Sequence, residues 1–378
     1  MRKSLSLIYL ENMRLPTEKA HGIQIIKMCE AFAQSGVQTV LAVPSFNKNA
    51  RDAFSYYGVS EIFTIDNHYK APNIKYLNVF SFILRTVIFF LSFLLSKNWK
   101  KADLVFVRDA NLAFLLALCG VPFVWEVHQD FYSCRADYAI KKSIATFFIT
   151  RGLKEKFISH GVKDQDKLCV FPDAVGLDRF VSIKDVNEPR KLVGLPADVP
   201  IVLYSGHLYE WKGAHILAEA ASLVNSDVLF VFVGGTDKDV AAFREKYGQN
   251  PSIKILGHRP YAEMLKYEQS ANILVIPNST RFEISKSYTS PLKLFSSMAS
   301  NIPIIASDLP SLREIVDDKM VFFVPPDNAE RLAQMIDYVI QHPAEAKVKS
   351  AAAFNEAKKY TWDARARGML EVIKFYLP

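Results

Sequence analysis

Short, β-rich apolar runs alternate with helical stretches in two successive series, and this alternation constrains the fold more tightly than any other feature of the chain. The first series is LSLIYL, then GIQIIKMCEAFAQSG, then VQTVLAVP, with ADLVFVRD and PFVWEVH further on. Such runs suit strands buried on both faces, and parallel strands joined by helices cover both faces. Ile25, Cys29 and Phe32 fall on one helical face, and Gly36 stands where a left-handed cap would end that helix. The second series begins at PIVLYSG, passes through KGAHILAEAASLV to VLFVFVGG, and continues through SIKILGH, NILVIPNS, IPIIASD and VFFVPP. The prediction is an α/β chain of two doubly wound domains with ligands at the carboxyl ends of the strands, facing a central cleft.

Length agrees with two domains, since 378 residues exceed what one core usually organises. The stretch FPDAVGLDRFVSIKDVNEPRKLVG clusters Pro, Asp and Gly where apolar periodicity lapses, and reads as the linker. The expected organisation is therefore an N-terminal domain over 1–175, a C-terminal domain over 176–360, and an amphipathic helix over 361–378 that packs back on the first domain. Cys29, Cys119, Cys134 and Cys169 form no C-x-x-C pair, which suits reduced, buried thiols, no metal site and a cytoplasmic compartment. The opening MRKSLSLIYLENMRLP holds an apolar run shorter than a signal-peptide core and reads as a first buried strand, so export is not expected.

The net charge of +7 is one-sided: residues 1–180 carry 23 Lys and Arg against 16 Asp and Glu, and residues 181–378 carry 23 of each. Those cations are dispersed and form no basic helix or aromatic-basic motif, so nucleic acid is not the expected partner. The most apolar stretch is VFSFILRTVIFFLSFLL, 79–95, flanked by Lys75, Lys97, Lys100 and Lys101. Its length is at the ~17-residue limit for spanning a bilayer, and Arg85 in its middle would cost about 2.5–3.5 kcal/mol on insertion. Two readings remain: a crossover helix buried on the sheet, or a helix over 75–101 docking on an anionic membrane surface from the cytoplasmic side.

Four places carry candidate chemistry. Gly22, in LPTEKAHG at a helix start, either lets backbone N–H groups approach an anion or eases a turn. His128 follows the strand PFVWEVH at its carboxyl end, where a side chain faces the ligand side of the sheet; Glu126 and Asp130 are nearby alternatives. In YSGHLYEWKG, Gly206, His207 and Lys212 gather backbone donors and a cation at a strand end, suited to a diphosphate or to an ordinary solvated first turn. In SYTSPLKLF, Ser290 is placed to N-cap a helix, Pro291 suits its first position, and Leu292, Lys293 and Ser296 follow on its opening turns.

Taken in order, PTEKAHGIQIIKMCEAF, VWEVH, FPDAVGLDRF, GHLYEWKG, the turn after VFVGG, and SPLKLFSSMASNIPIIASDLPSLREIV resemble glycosyltransferase family 4, retaining enzymes of GT-B architecture with two Rossmann-like domains. The resemblance implies transfer of a sugar from a nucleotide-sugar held by the C-terminal domain to an acceptor held by the N-terminal one, the nucleotide-sugar being a substrate and no metal or cofactor being needed. It implies His128 facing the reacting sugar and Lys212 and His207 at the diphosphate. Gly22, Gly206, Gly235, Ser290, Pro291, Leu292, Lys293 and Ser296 would complete the donor site, while no acceptor-binding residue is identified. The chain departs at Tyr288 and Ser296, where relatives commonly carry glutamates, and at Ala174 and Gly176, where they often carry glycine and aspartate. The lost acceptor charge at Ser296, about 1.5–3 kcal/mol when well formed, motivates an alternative: a non-catalytic protein binding nucleotide-sugar or glycan, or supporting a partner enzyme. The basic N-terminal half and its apolar segment point to a lipid-linked glycan acceptor in surface polysaccharide synthesis.

Overall fold

A computed structural model describes residues 5–72, 79–180 and 187–377. It divides into two compact units, one of residues 1–172 with 362–378 and the other of residues 173–361. Residues 181–186 of the expected linker and Lys75 of the expected membrane segment lie outside the described residues.

The first unit is a seven-stranded parallel sheet in the order β3-β2-β1-β4-β5-β6-β7. Its strands are β1 Ser6–Leu10, β2 Gln38–Pro44, β3 Thr64–Tyr69, β4 Leu104–Val107, β5 Phe123–Val127, β6 Thr146–Phe148 and β7 Leu168–Val170. Tyr9, Phe32, Phe106 and Phe147 are fully buried at its centre, with Tyr9 and Phe106 ring centroids 4.9 Å apart. The helix Ala20–Gln34 buries Ile25, Cys29 and Phe32 completely, and Gly36 follows it at φ +80°. The chain runs outward from β1 to β3 and then returns to place β4 on the other side of β1. The crevice between β1 and β4 is thus the topological switch point, where such sheets take ligands. Leu10 is level with Val107, so Glu11 and Arg108 are the first residues beyond two neighbouring strand ends.

The return path is the helix Val79–Ser96, and both sequence readings find a face on it. Phe89, Phe90 and Phe93 are buried against the unit, while Leu84, Leu91 and Leu95 are 40%, 47% and 78% exposed. Arg85, expected as a charge opposing insertion, is turned inward at 6% exposure, with its guanidinium 4.8 Å from the Phe46 ring centroid. Among the described residues no helix is long and apolar enough to cross a membrane. The helix Trp362–Tyr376 belongs to this unit, tied in by Arg365, whose Nε donates to Pro172 O at 2.6 Å. The cysteines depart from expectation: Cys29 is buried on the inner face of its helix and Cys169 is half-buried, but Cys119 and Cys134 are exposed, standing at the end of one helix and the start of another.

The second unit is a six-stranded parallel sheet in the order β10-β9-β8-β11-β12-β13. Here β8 is Ile201–Ser205, β9 Leu229–Val233, β10 Ile253–Gly257, β11 Ile273–Ile276, β12 Ile304–Ser307 and β13 Phe322–Val324. Its switch point lies between β8 and β11. One layer of core joins Val202, Tyr204, Phe230, Phe232 and Ile336, and the opposite layer joins Leu203, Val231, Tyr267 and Leu274.

Candidate functional sites of the two units

In the second unit the loop leaving β8 folds back on itself. A short turn Glu210–Lys212 ends in Gly213 at φ +70°, where a Cβ would stand 1.7 Å from Pro277 O beyond β11. Only glycine lets the two strand-end loops approach so closely. Gly234, after β9, is similarly pressed on Gly206 O, at φ +117°. Gly206, at φ +132°, is not crowded: a Cβ there would make ordinary contact with Tyr204 Oη at 3.7 Å and Lys212 Nζ at 4.0 Å, so the backbone angle rather than packing favours glycine. The Cβ of an alanine at Gly235 would meet Leu208 at 3.0 Å, so packing as well as ligand approach favours glycine there. His207 stacks on Tyr209, and its carbonyl accepts the Tyr204 hydroxyl at 2.6 Å.

The helix after β11 supplies the other half of the site. It runs Leu292–Ala299 with Pro291 at its N-cap and no side-chain cap. This corrects the expected capping: Ser290 lies one position too early, and its hydroxyl instead accepts the Asp173 N–H at 2.8 Å. The amides of the first turn are left without a side-chain acceptor, an arrangement that favours an anion. Lys293 Nζ is buried without a hydrogen-bond partner, 4.9 Å above the Tyr204 ring. Burial, and then the charge of Lys212, hold the Lys293 ammonium well below its ordinary range. Burial likewise lowers Lys212 to about 8. Two lysines that sense one another, one from the loop after β8 and one from the first turn of the helix after β11, therefore meet at the switch point. Removal from water raises the energy of each ammonium, and a bound anion would lower it.

Ser296 does not present a free hydroxyl. It donates to Glu268, a buried carboxylate of the helix Tyr261–Gln269 that also receives Ser205 at 3.3 Å and Ser300 at 3.4 Å. Sequence reading missed Glu268, because it lies on a different helix and its position carries no local signal. Tyr288 closes the π-helical turn Ile284–Tyr288 that precedes this helix.

In the first unit His128 stands just past β5, with Nε2 2.9 Å from Glu126 Oε2. Burial and then Arg108 lower its pKa to about 4, so the imidazole is neutral near pH 7. Glu126 is wholly buried. Burial would raise its pKa, but Arg365 and His128 more than offset that and keep it ionised. Arg365 Nη2 lies 2.5 Å from Glu126 Oε1, and Gln24 donates to Oε2 at 2.9 Å. Glu126 thus holds His128 from below rather than replacing it. Gly22, in the helix Ala20–Gln34, is enclosed: a Cβ there would lie 2.3 Å from the Tyr57 hydroxyl, which itself bonds both the N–H and the carbonyl of Thr17. That packing requires glycine whether or not a ligand lies nearby.

Around the β1/β4 switch point opens a cavity of about 1560 Å³, lined by Glu11, His21, Arg85, Arg108, Asp109 and His128 among others. Glu11 and Arg108 escaped the sequence reading, although each follows a strand directly, as His128 does three residues past Trp125. Among the described residues no cluster of three or more His, Cys, Asp or Glu is placed to hold a metal ion.

Residues 185–360 match the family model described as glycosyl transferases group 1. The chain is similar to D-inositol 3-phosphate glycosyltransferase of Xylanimonas cellulosilytica, 23% identical over 248 residues, covering 62% of this chain and 58% of that relative's length. In structure it is similar to sucrose-phosphate synthase of Thermosynechococcus elongatus, with a TM-score of 0.80 at 17% identity over 98% of both chains. HepE of Anabaena, solved in complex with UDP-glucose, superposes with a TM-score of 0.76 at 14% identity over 98% of this chain and 100% of its own. The architecture is GT-B: two Rossmann-like α/β domains.

Proposed function

We propose that this chain, which carries a glycosyl transferases group 1 domain, is a retaining glycosyltransferase moving a sugar from a nucleotide-sugar to a lipid-linked glycan in surface polysaccharide synthesis. The observation that carries the reading is the pair of half-buried lysines at the β8/β11 switch point, one with its ammonium nitrogen buried and no hydrogen-bond partner, beside a helix start with no side-chain cap. A diphosphate answers all three features. In the reaction Lys212, Lys293 and the amides after Pro291 take up charge developing on the departing nucleoside diphosphate, which is where preorganised donors lower a barrier. The neutral imidazole of His128 donates or accepts a hydrogen bond without adding charge. The lysines supply the positive charge, so the reading calls on neither metal nor cofactor. HepE, with its UDP-glucose, supports a nucleotide-sugar as donor. On the membrane side, the exposed leucines of the helix Val79–Ser96 and the exposed Lys97, Lys100 and Lys101 after it suit the surface of an anionic bilayer.

A second reading, a non-catalytic binder of nucleotide-sugar, is favoured by one observation. The proton of the Ser296 hydroxyl is spent on Glu268, so toward a ligand Ser296 can only accept. Calorimetric titration with UDP, GDP and ADP separates these outcomes when paired with a coupled assay for nucleoside diphosphate released from the matching sugar donors. At least one diphosphate should bind, and Lys212→Ala and Lys293→Ala should each weaken it by ~1.5–3 kcal/mol, on the order of tenfold to a hundredfold. Binding without release supports the second reading; absence of binding, or variants that bind as well as wild type, rejects both.

A further inference from the structure

The β1/β4 cavity holds a carboxyl that the donor chemistry does not use. Glu11 follows β1 directly, lines the cavity, and carries an Oε2 that is buried without a hydrogen-bond partner. A buried carboxyl oxygen left unpaired costs free energy, so its retention at the ligand-binding crevice of the sheet calls for an occupant that supplies the missing bond. The wall around it interleaves opposite charges, Arg108 with Asp109 and Arg14 with Glu18, and adds the partly exposed rings of Phe82 and Phe131. Alternating donors and acceptors beside aromatic rings match the vicinal hydroxyls and apolar face of a sugar ring. A phosphate would meet the acidic side chains as well as the basic ones. The volume exceeds that of common small-ligand sites, which leaves room for more than one ring.

We propose that Glu11 is an acceptor-binding residue, hydrogen-bonding a hydroxyl of the uncharged saccharide end that receives the transferred sugar. This rests on the transferase reading for the word acceptor, and on the first unit alone for the binding. Burial raises the Glu11 carboxyl to about 8, with Arg108 opposing and Asp109 and Glu126 reinforcing the rise. Near pH 7 the side chain is therefore a neutral acid that both donates and accepts, and a glutamine preserves that capacity while an alanine does not.

The test uses the full chain and octyl β-glycosides of glucose, galactose, mannose and N-acetylglucosamine as probes, with carboxyl-labelled glutamate read by NMR. At least one probe should move the Glu11 signal. Its dissociation constant should rise tenfold or more in Glu11→Ala, stay within threefold of wild type in Glu11→Gln, and depend on pH around 8 in wild type but not in Glu11→Gln. If no probe moves the signal, or Glu11→Ala binds like wild type, the proposal is overturned. UDP, GDP and ADP titrations of the same variants report on the second unit separately: diphosphate binding with a silent Glu11 rejects this inference alone, and saccharide binding without diphosphate binding rejects the transferase reading alone.

Discussion

At the scale of single residues, burial sets the protonation of Lys212 and His128, whereas at Glu126 the neighbouring Arg365 overrides it. Lys212 and His128 both lie lower than in water because charge is costly out of water. For Lys212 this has a measurable consequence. A bound diphosphate would raise its pKa from about 8, so the complex would hold the proton more tightly than the free protein. Affinity should then fall as pH rises from 7 to 9, with proton uptake on binding near pH 8.5 visible by calorimetry in buffers of different ionisation enthalpy. A response flat in pH contradicts a diphosphate at Lys212. His128 and Lys212 were legible from their places after strands. Glu126 was legible only as an alternative to His128, and the deep partners Glu268 and Arg365 were not legible, since what they touch lies far away in sequence: 239 positions separate Arg365 from Glu126.

At the scale of elements, the helix Val79–Ser96 shows how one apolar sequence serves two surroundings. Its hydrophobic content foretold burial, and Phe89, Phe90 and Phe93 are buried; the outer stripe of leucines is set by which side of the helix the sheet leaves uncovered. Replacing Leu84, Leu91 and Leu95 together by glutamate removes apolar area and adds like charge against anionic lipid. Wild type should cosediment with phosphatidylglycerol vesicles and much less with phosphatidylcholine, and the triple variant with neither. Equal cosedimentation of variant and wild type would remove the membrane role. The start of the helix Leu292–Ala299 offers the converse lesson. The spacing in SYTSPLKLF suggested that Ser290 caps it, yet the chain entering at Asp173 claims that hydroxyl.

For the molecule as a whole, stability against pH follows from groups whose folded and unfolded affinities for protons differ. In the unit of residues 1–172 and 362–378, burial lowers His21 to about 3 and His128 to about 4, so between about pH 4.5 and 6.5 the unfolded state binds these protons and the folded state does not. Glu11, raised to about 8, works the other way from about 4.5 to 8. Two histidines against one carboxyl leave a net loss of about 1 kcal/mol per pH unit on acidification below 6.5, and a gentler loss above it. Urea midpoints of this unit should peak near pH 6.5, and His128→Asn should flatten the acid limb; an unchanged slope would show that His128 is not held neutral. Alternating strand and helix runs determined the two doubly wound sheets by themselves, because the burial of apolar strands on both faces is written locally in the order of residues. Only tertiary structure decided that Glu11 and Arg108 share a switch point, that Gly22 is closed in by Tyr57, and that Glu268 lies beneath Ser296, because these juxtapositions come from strand order and register, which local sequence does not encode.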